Sequence, residues 1–298
     1  MTRMPISADD GYVLVTPVRN EERTIEITIQ SVVAQTVPPR EWVVVSDGST
    51  DQTDAIVDRY VRQFNWLRLV QLKNRPGRNF ASVVFATETG IQALRTRAYA
   101  YLGLLDADVR FPENYFAQML TRFAKDVRLG LAGGLVVDVV DGKRFRDRQS
   151  LQNVAGAVQF FRRECFESLG GLVPVAEGGW DAITCVRARM NGYRTETFAD
   201  LIVEHLKPRN VAEGGPLRRH WQFGTRDYAL ASHPVFELAK CCARWGDFPP
   251  VLGALARLSG YGWAAVRNRK RQLPPDVCIH IRREQLARLN PFKTVWPV

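Results

Sequence analysis

The stretch YVLVTPVRN, residues 12–20, is a short apolar run that ends at a proline and then turns polar. A buried parallel strand has this composition, because helices cover both of its faces. Similar apolar runs follow at residues 42–45, 67–72 and 100–105, with helical patterns between them. Strands that alternate with helices in this way predict an α/β protein with a parallel, doubly wound sheet.

The helical patterns also carry predicted starting points. Asn20 is placed to cap the first helix, because acidic residues follow it where the helix dipole favours them. Ser49 and Gln52 fit a capping box for the second helix. Residues 80–94 predict a third helix before the fourth strand.

Composition narrows the class of protein. The chain has 298 residues, of which 46% are hydrophobic, so it can build a large core. Its five cysteines are an odd number without CxxC spacing, which indicates thiols of a reducing compartment and neither a disulfide framework nor a zinc site. The first ten residues lack the apolar segment of a secretory signal. We therefore expect the protein on the cytosolic side.

The net charge of +10 is unevenly distributed. Residues 201–298 contain sixteen Lys or Arg and seven Asp or Glu, so the first two thirds are close to neutral. Such a basic tail predicts an anionic partner surface, either a membrane or a nucleic acid.

Polar side chains follow the predicted strands where each strand ends. Asp47 comes directly after the second strand, and Asp106 and Asp108 come after the fourth. Ligands of doubly wound sheets bind at this edge. Residues two apart in extended chain point the same way, so both carboxylates of the pair can face one cleft. Two oxygen donors suit Mg²⁺ or Mn²⁺ bridging a diphosphate, although a DxD pattern alone also fits an ordinary turn.

Three motifs occur in a defined order: VTPVRNEE at residues 15–22, VVSDGSTD at 44–51 and LLDAD at 104–108. With these motifs the sequence resembles family-two glycosyltransferases with the GT-A fold, through about residue 205. The stretch EGGWD at 177–181 resembles a bacterial subgroup that builds surface polysaccharides.

The resemblance implies a GT-A-type doubly wound mixed sheet with a C-terminal helical extension. Residues 1–108 would form a Rossmann-like nucleotide-sugar-binding half. Residues 109–230 would form the acceptor-binding and catalytic half of the same domain. Residues 231–298 would form a basic helical extension, either associated with a membrane or packed on the catalytic domain.

The resemblance also implies a binding site for a nucleoside-diphosphate sugar. Asp47 would accept a hydrogen bond from the nucleobase edge. The imide N–H of uracil or thymine fits that role, which favours a UDP-sugar, although the family also contains guanine users. Ser46 departs from the acidic pair often found there. Arg78 would reach the donor, with Arg75 as its competitor. The residues implied for donor binding are Pro17, Arg19, Asn20, Glu21, Asp47, Arg78 and Asp106.

A metal and a base are implied as well. Asp106, Asp108 and His205 would hold Mn²⁺ or Mg²⁺, and a neutral imidazole suits Mn²⁺ better. Asp181 would be the base of an inverting transfer, with Glu177 as the alternative; a simple helix cap is the structural alternative for Asp181.

The acceptor side is predicted more coarsely. The stretch LRRHW at residues 217–221 resembles the QxxRW signature of processive synthases, but it lacks the Gln and has His220 in the place of the Arg. This difference indicates addition of one sugar. We expect a glycan or lipid-linked acceptor in bacterial surface polysaccharide synthesis. Apolar helical patterns after residue 234 next to the basic run at 267–271 predict peripheral contact with an anionic membrane, at the cytoplasmic side of the bacterial inner membrane.

Three other classes fit less well. A nucleotidyltransferase also uses paired carboxylates with Mg²⁺, but it would carry a Gly-rich basic loop after the first strand, where this chain is acidic. A nucleic-acid-binding protein is suggested by charge alone, without a recognition motif, so no nucleic acid is expected as a partner. A nicotinamide-dependent oxidoreductase would carry GxGxxG after Thr16.

Overall fold

The computed structural model of the chain describes residues 11–73, 80–140, 142–146, 150–207, 215–267, 271 and 273–289. The chain divides into two units. The first comprises residues 1–78, 82–174 and 180–208. The second comprises residues 79–81, 175–179 and 209–298.

The first unit is built on a mixed sheet, in which the described residues form nine strands in the order β3-β2-β1-β4-β8-β6-β9-β5, with β7 beside β6. The strands are β1 Tyr12–Val18, β2 Glu41–Asp47, β3 Leu67–Leu72, β4 Tyr101–Leu105, β5 Val109–Arg110, β6 Leu129–Val140, β7 Lys143–Phe145, β8 Val158–Arg162 and β9 Arg194–His205. Six helices accompany them: α1 Ile25–Val33, α2 Thr53–Val61, α3 Ala81–Gln92, α4 Tyr115–Lys125, α5 Arg163–Leu169 and α6 Trp180–Met190.

The first four strands are parallel, and β8 runs antiparallel to β4 and β6, so the predicted doubly wound mixed sheet is confirmed. Both faces of β1 are buried. Tyr12 and Leu14 belong to the core on one face, and Val13 and Val15 belong to the core on the other. Two covered faces explain why the strand is a nearly continuous apolar run.

The predicted helix caps are wrong. Helix α1 begins at Ile25, and Asn20 lies several residues earlier with a φ of 53°. The side chain of Asn20 instead accepts a 2.8 Å hydrogen bond from the backbone N–H of Thr50. The N-cap of α2 is Gln52, which makes no side-chain capping bond, and Ser49 takes no part. At α1 a contact between loops replaces the predicted cap. At α2 the side chain of Asp51 accepts hydrogen bonds from the backbone N–H of Thr53 at 3.0 Å and from its hydroxyl at 2.6 Å.

The second unit contains α7 Gly215–Ala229, which lies in the stretch predicted as the acceptor half. After it come the helices of the predicted extension: α8 Pro234–Ala243, α9 Leu252–Val266 and α10 Pro275–Arg288. Helices α7 and α9 pack closely because glycines lie at their contact. A Cβ added to Gly224 would lie 1.9 Å from the carbonyl oxygen of Arg257. A Cβ added to Gly260 would lie 2.1 Å from the carbonyl oxygen of Trp221. Larger residues at either position would force the helices apart.

A buried ionic cluster joins α7, α8 and α9. Arg257 Nε donates to Asp227 at 2.9 Å and to Glu237 at 3.0 Å, and Lys240 Nζ lies 3.0 Å from Asp227. Burial raises the pKa of Asp227, but the charges of Lys240 and Arg257 outweigh it and lower the pKa to about 2. The two acids and two bases balance in charge. This cluster explains an arginine in the middle of the apolar helix α9.

None of the helices in the described ranges combines the length and the apolar character needed to cross a membrane.

Candidate active site

The acids of the candidate site come together because their strands are neighbours. Strand β1 pairs in parallel with β2 on one side and β4 on the other, so the carboxyl ends of all three lie at one edge. A pocket at this edge contains seven of the residues predicted for donor and metal binding: Pro17, Arg19, Glu21, Asp47, Asp106, Asp108 and His205. Val18, Ala107, Val83 and Ala86 complete its lining.

Asp106, Asp108 and His205 form a group that could hold a metal ion. One ligand atom from each lies within 4.8 Å of the others. His205 is the last residue of β9 and pairs with Val109 in β5, which places its ring beside the Asp106–Asp108 turn. Its Nε2 lies 3.3 Å from Asp108 Oδ1. Two carboxylates and an imidazole are a suitable donor set for Mn²⁺.

Neighbouring groups orient the His205 ring. Its Nδ1 lies 2.5 Å from the backbone carbonyl oxygen of Lys207, and because a carbonyl only accepts, Nδ1 carries the proton in this contact. The carboxylate of Asp138 lies 3.9 Å from the same nitrogen. In the neutral ring the Nε2 lone pair is then directed toward the aspartates, as a metal ligand requires.

The site concentrates negative charge. Burial and the adjacent Asp108 carboxylate raise the pKa of Asp106 to about 7, with further contributions from Asp181 and Glu21. Burial also raises the pKa of Asp108, against the opposing charges of His205 and Lys207. Carboxylates crowded in this way gain most from a bound cation, so the electrostatics agree with the donor set.

Two contacts connect the walls of the pocket. Glu21 accepts a hydrogen bond from Thr24 Oγ1 at 2.6 Å and forms an ion pair with Lys207, beyond the end of β9. Arg19 Nη1 donates to the backbone carbonyl of Asp47 at 3.2 Å. The loop after β1 is therefore fixed to the ends of β2 and β9.

Asn20 does not line the pocket. It belongs to a set of hydrogen bonds that joins the loop after β1 to the loop after β2. Glu21 N–H donates to Thr53 Oγ1 at 2.7 Å, and Glu22 N–H donates to Asp51 Oδ2 at 3.1 Å. In return, Gln52 N–H donates to Glu22 Oε2 at 3.0 Å. The polar residues of the first two motifs thus hold the two loops together.

The two predicted base residues are placed differently. Asp181, in the first turn of α6, lies close enough to Asp106 for its charge to raise the pKa of Asp106. Its Oδ2 accepts a 3.1 Å hydrogen bond from the backbone N–H of Gly156. Glu177 lies in the segment 175–179 and belongs to the second unit. Arg78 and its competitor Arg75 lie outside the described residues.

Two residues near the site were not predicted from sequence. Asp138 is a buried acid inside the apolar strand β6, and an acid in such a run is a signal that sequence reading could have used. Nothing in the sequence indicates the role of Gly156, because it contacts Asp181 through its backbone N–H and not through a side chain.

The model of the family described as "Glycosyl transferase family 2" matches residues 13–186, more than half of the chain. The chain belongs to glycosyl transferase family 2. The match includes residues 13–18 of β1, the strands β2 to β4, and the two predicted metal ligands Asp106 and Asp108.

Curated relatives agree with this assignment. The poly-beta-1,6-N-acetyl-D-glucosamine synthase of Staphylococcus aureus (strain COL) is 23% identical over 246 residues, which cover 83% of this chain and 52% of the relative. The synthase of the same name from Staphylococcus epidermidis is 24% identical over 236 residues, covering 79% of this chain and 50% of the relative. This chain thus spans about half the length of these curated relatives.

Solved structures show the same GT-A fold. A mannosyltransferase from Pyrobaculum calidifontis, in complex with GDP-Man and Mn²⁺, aligns with a TM-score of 0.55 and 22% identity, covering 94% of this chain and 81% of that one. The TarS protein of S. aureus (residues 1–349), in complex with UDP-GlcNAc, aligns with a TM-score of 0.53 and 17% identity, covering 73% of this chain and 66% of that one.

Proposed function

We propose that this family 2 chain is an inverting, metal-dependent glycosyltransferase that moves one sugar from a nucleoside-diphosphate sugar to a glycan acceptor. The observation that carries the proposal is the group Asp106, Asp108 and His205 at the strand edge, with Asp47 in the same pocket. The charge of Asp181 also raises the pKa of Asp106, although Asp181 does not line the pocket.

The donor would bind across this edge. Asp47 would accept a hydrogen bond from the nucleobase, with Pro17 and Arg19 against the base and ribose. Asp106, Asp108 and His205 would hold Mn²⁺ or Mg²⁺, which when bound neutralises charge on the diphosphate. The structural neighbours were solved with GDP-Man and with UDP-GlcNAc. Asp47 lies in the pocket lining, and its carboxylate could accept a hydrogen bond from the imide N–H of uracil, which supports a UDP-sugar as the donor.

Asp181 would serve as the base. The acceptor hydroxyl gives its proton to the Asp181 carboxylate while its oxygen forms a bond to the anomeric carbon. The bond from that carbon to the diphosphate oxygen breaks on the opposite face, and the diphosphate leaves with the electron pair, so the configuration inverts. The Gly156 N–H holds one carboxylate oxygen, which leaves the other for the acceptor. Glu177 is the alternative base.

The acceptor side of the proposal is supported by the relatives named as polysaccharide synthases. We place the reaction in bacterial surface polysaccharide synthesis, with a glycan or lipid-linked acceptor. A lipid-linked acceptor would be reached at the cytoplasmic face of the inner membrane, and the basic helices of the second unit support a peripheral position there.

Thermal unfolding with UDP-, GDP- and dTDP-sugars, each with and without Mn²⁺, tests the donor. We expect one UDP-sugar to raise the unfolding temperature only when Mn²⁺ is present. If none of the donors stabilises the protein with metal, the proposal is wrong. Product analysis separates the nucleotidyltransferase class, because glycosyl transfer releases a nucleoside diphosphate whereas nucleotidyl transfer releases pyrophosphate.

A further inference from the structure

The exposed apolar residues of the described chain concentrate in one hairpin of the second unit. The described residues include sixteen large exposed hydrophobic residues. Nine of them lie between residues 235 and 266, in α8, in α9 and in the segment that connects these helices. Six of them are here called the hairpin face: Val235, Leu238, Trp245, Phe248, Leu252 and Leu255. A concentration of this kind on a protein surface marks an interaction site.

The hairpin face is continuous along the chain. Val235 and Leu238 lie three residues apart on one side of α8, and Trp245 lies in the turn just after its end. The backbone N–H of Val251 donates to the carbonyl of Trp245 at 2.9 Å, which brings the end of α8 to the start of α9. Leu252 and Leu255 then continue along α9.

The opposite side of α9 is the one that packs inside the second unit. Gly253, Arg257 and Gly260 are buried against α7 and the ionic cluster. The hairpin face therefore points away from the unit's own core. A solvated helix normally presents polar residues on that side, and α9 presents Leu252 and Leu255 there.

The charge around the hairpin identifies the kind of partner. Asp227 and Glu237 are neutralised inside the buried cluster by Lys240 and Arg257. Outside that cluster, the described residues between 215 and 289 include nine arginines and three acids. Arg267 follows α9 directly and is exposed, as is Arg271. An apolar face on a unit with excess positive charge matches a surface that is apolar and anionic at once.

We propose that the hairpin face lies in the headgroup region of a bilayer that contains anionic phospholipid, with the arginines at 267 and 271 on its phosphates. Tryptophan favours that interface because its ring is apolar and its N–H is polar. The face binds the bilayer surface and does not span it, in keeping with the short helices. The purpose of this contact, access to a lipid-linked acceptor, rests on the proposed function; the contact itself does not.

Co-sedimentation with vesicles tests the proposal on the full chain. The vesicles are phosphatidylcholine alone or phosphatidylcholine with about 30% phosphatidylglycerol. We expect the wild type to bind the anionic vesicles, and to bind them less at high salt. The double variant Leu238→Gln, Phe248→Gln should bind them about tenfold more weakly or worse, because it removes apolar insertion.

The matched control is Val127→Gln with Phe145→Gln, which changes two exposed apolar residues of the first unit. The exposed fractions are 54% and 77% for the hairpin pair and 63% and 54% for the control pair. The control should bind vesicles as the wild type does. Circular dichroism and the unfolding temperature establish that both double variants are folded.

Three results would overturn the proposal: no binding by the wild type, equal binding by both double variants, or equal binding to neutral and anionic vesicles. If the wild type ignores vesicles and the hairpin variant dissociates a dimer in sedimentation velocity, the partner is a second copy. The rise in unfolding temperature caused by a nucleotide sugar with Mn²⁺ is measured on the same samples. Absence of that rise would contradict the proposed glycosyltransferase function and would leave the membrane proposal untouched.

Discussion

The backbone N–H of Gly156 donates a 3.1 Å hydrogen bond to Oδ2 of Asp181. The next residue, Ala157, accepts a 2.9 Å hydrogen bond at its carbonyl from the backbone N–H of Asp106. Two consecutive residues before β8 thus contact Asp181, the proposed base, and Asp106, the first aspartate of the proposed metal group. This loop fixes the distance between the group that would accept a proton and the group that would bind the diphosphate metal.

Gly156→Ala tests that positioning. A Cβ at this position would lie 3.1 Å from Trp180 Cζ2 and 3.4 Å from Asp181 Cβ, so the start of α6 must shift by a few tenths of an ångström. We expect kcat to fall by about tenfold while the donor Kd stays within about twofold, because small misplacements of a reacting group are costly. The control is Gly262→Ala, whose Cβ would meet no heavy atom within 4 Å. Equal kcat values for the two variants would contradict the positioning role.

Asp181→Asn separates catalysis from helix capping. The amide oxygen of Asn still accepts the Gly156 hydrogen bond, so the fold of this region should persist, but an amide does not accept the acceptor's proton. We expect unchanged donor binding by calorimetry and a loss of about 10²–10⁴-fold in kcat.

Glu177→Gln is the comparison for that experiment. It should leave kcat within about threefold if Asp181 is the base. Retained activity in Asp181→Asn together with its collapse in Glu177→Gln would assign the base to Glu177.

Asp108→Asn tests the metal group. It removes one anionic ligand that lies 3.3 Å from His205 Nε2. We expect Mn²⁺ binding, measured by titration calorimetry with nucleoside diphosphate present, to weaken by about tenfold or more, and the Mn²⁺-dependent part of donor stabilisation to disappear. Asp200→Asn is the control, since Asp200 is an exposed acid paired with Arg122. Wild-type Mn²⁺ affinity in Asp108→Asn would rule out this ligand set.

The sequence predicted the strand-end acids because their placement depends on local pattern. Apolar runs such as YVLVT predict buried parallel strands. The positions of Asp47 and Asp106 at the strand edge could be predicted because each lies where such a run ends. The four parallel strands and the helical extension were predicted for the same reason. These features require no knowledge of which distant residues meet.

The grouping of His205 with Asp106 and Asp108 depends on distant pairing, and it was predicted from the family resemblance and not from local pattern. Two other features that depend on distant pairing were not predicted. Asn20 looks like a helix cap, yet its side chain bonds to Thr50, thirty residues away in sequence, and this tertiary contact outweighs local capping. Asp138 reaches His205 because β6 and β9 pair in parallel after a register shift between Gly134 and Leu135. A shift of this kind changes which side chains are opposite and leaves no local signature.

The stability of the fold depends on pH through Glu41. Glu41 is buried at the start of β2, where it accepts hydrogen bonds from the backbone N–H groups of Arg95 at 2.9 Å and Thr96 at 2.8 Å, and from Arg68 Nη1 at 2.8 Å. Burial raises the pKa of Glu41, but these hydrogen bonds and the Arg68 charge outweigh it, and the pKa is lowered. The folded state therefore favours the ionised carboxylate.

Glu41→Gln should lower the free energy of unfolding at pH 7 by about 2 kcal/mol, because an amide group cannot accept all of these hydrogen bonds. A lowered pKa stabilises the fold above the unfolded value of about 4.3, and this contribution is lost as the pH falls through the lower folded value. The difference in urea unfolding between wild type and variant should thus be constant from pH 7 to about 5 and shrink below about 4. Glu26→Gln, at an exposed pair with Arg59, should change stability by less than about 1 kcal/mol. A Glu41→Gln difference that grows toward acid pH would contradict the sign of the shift.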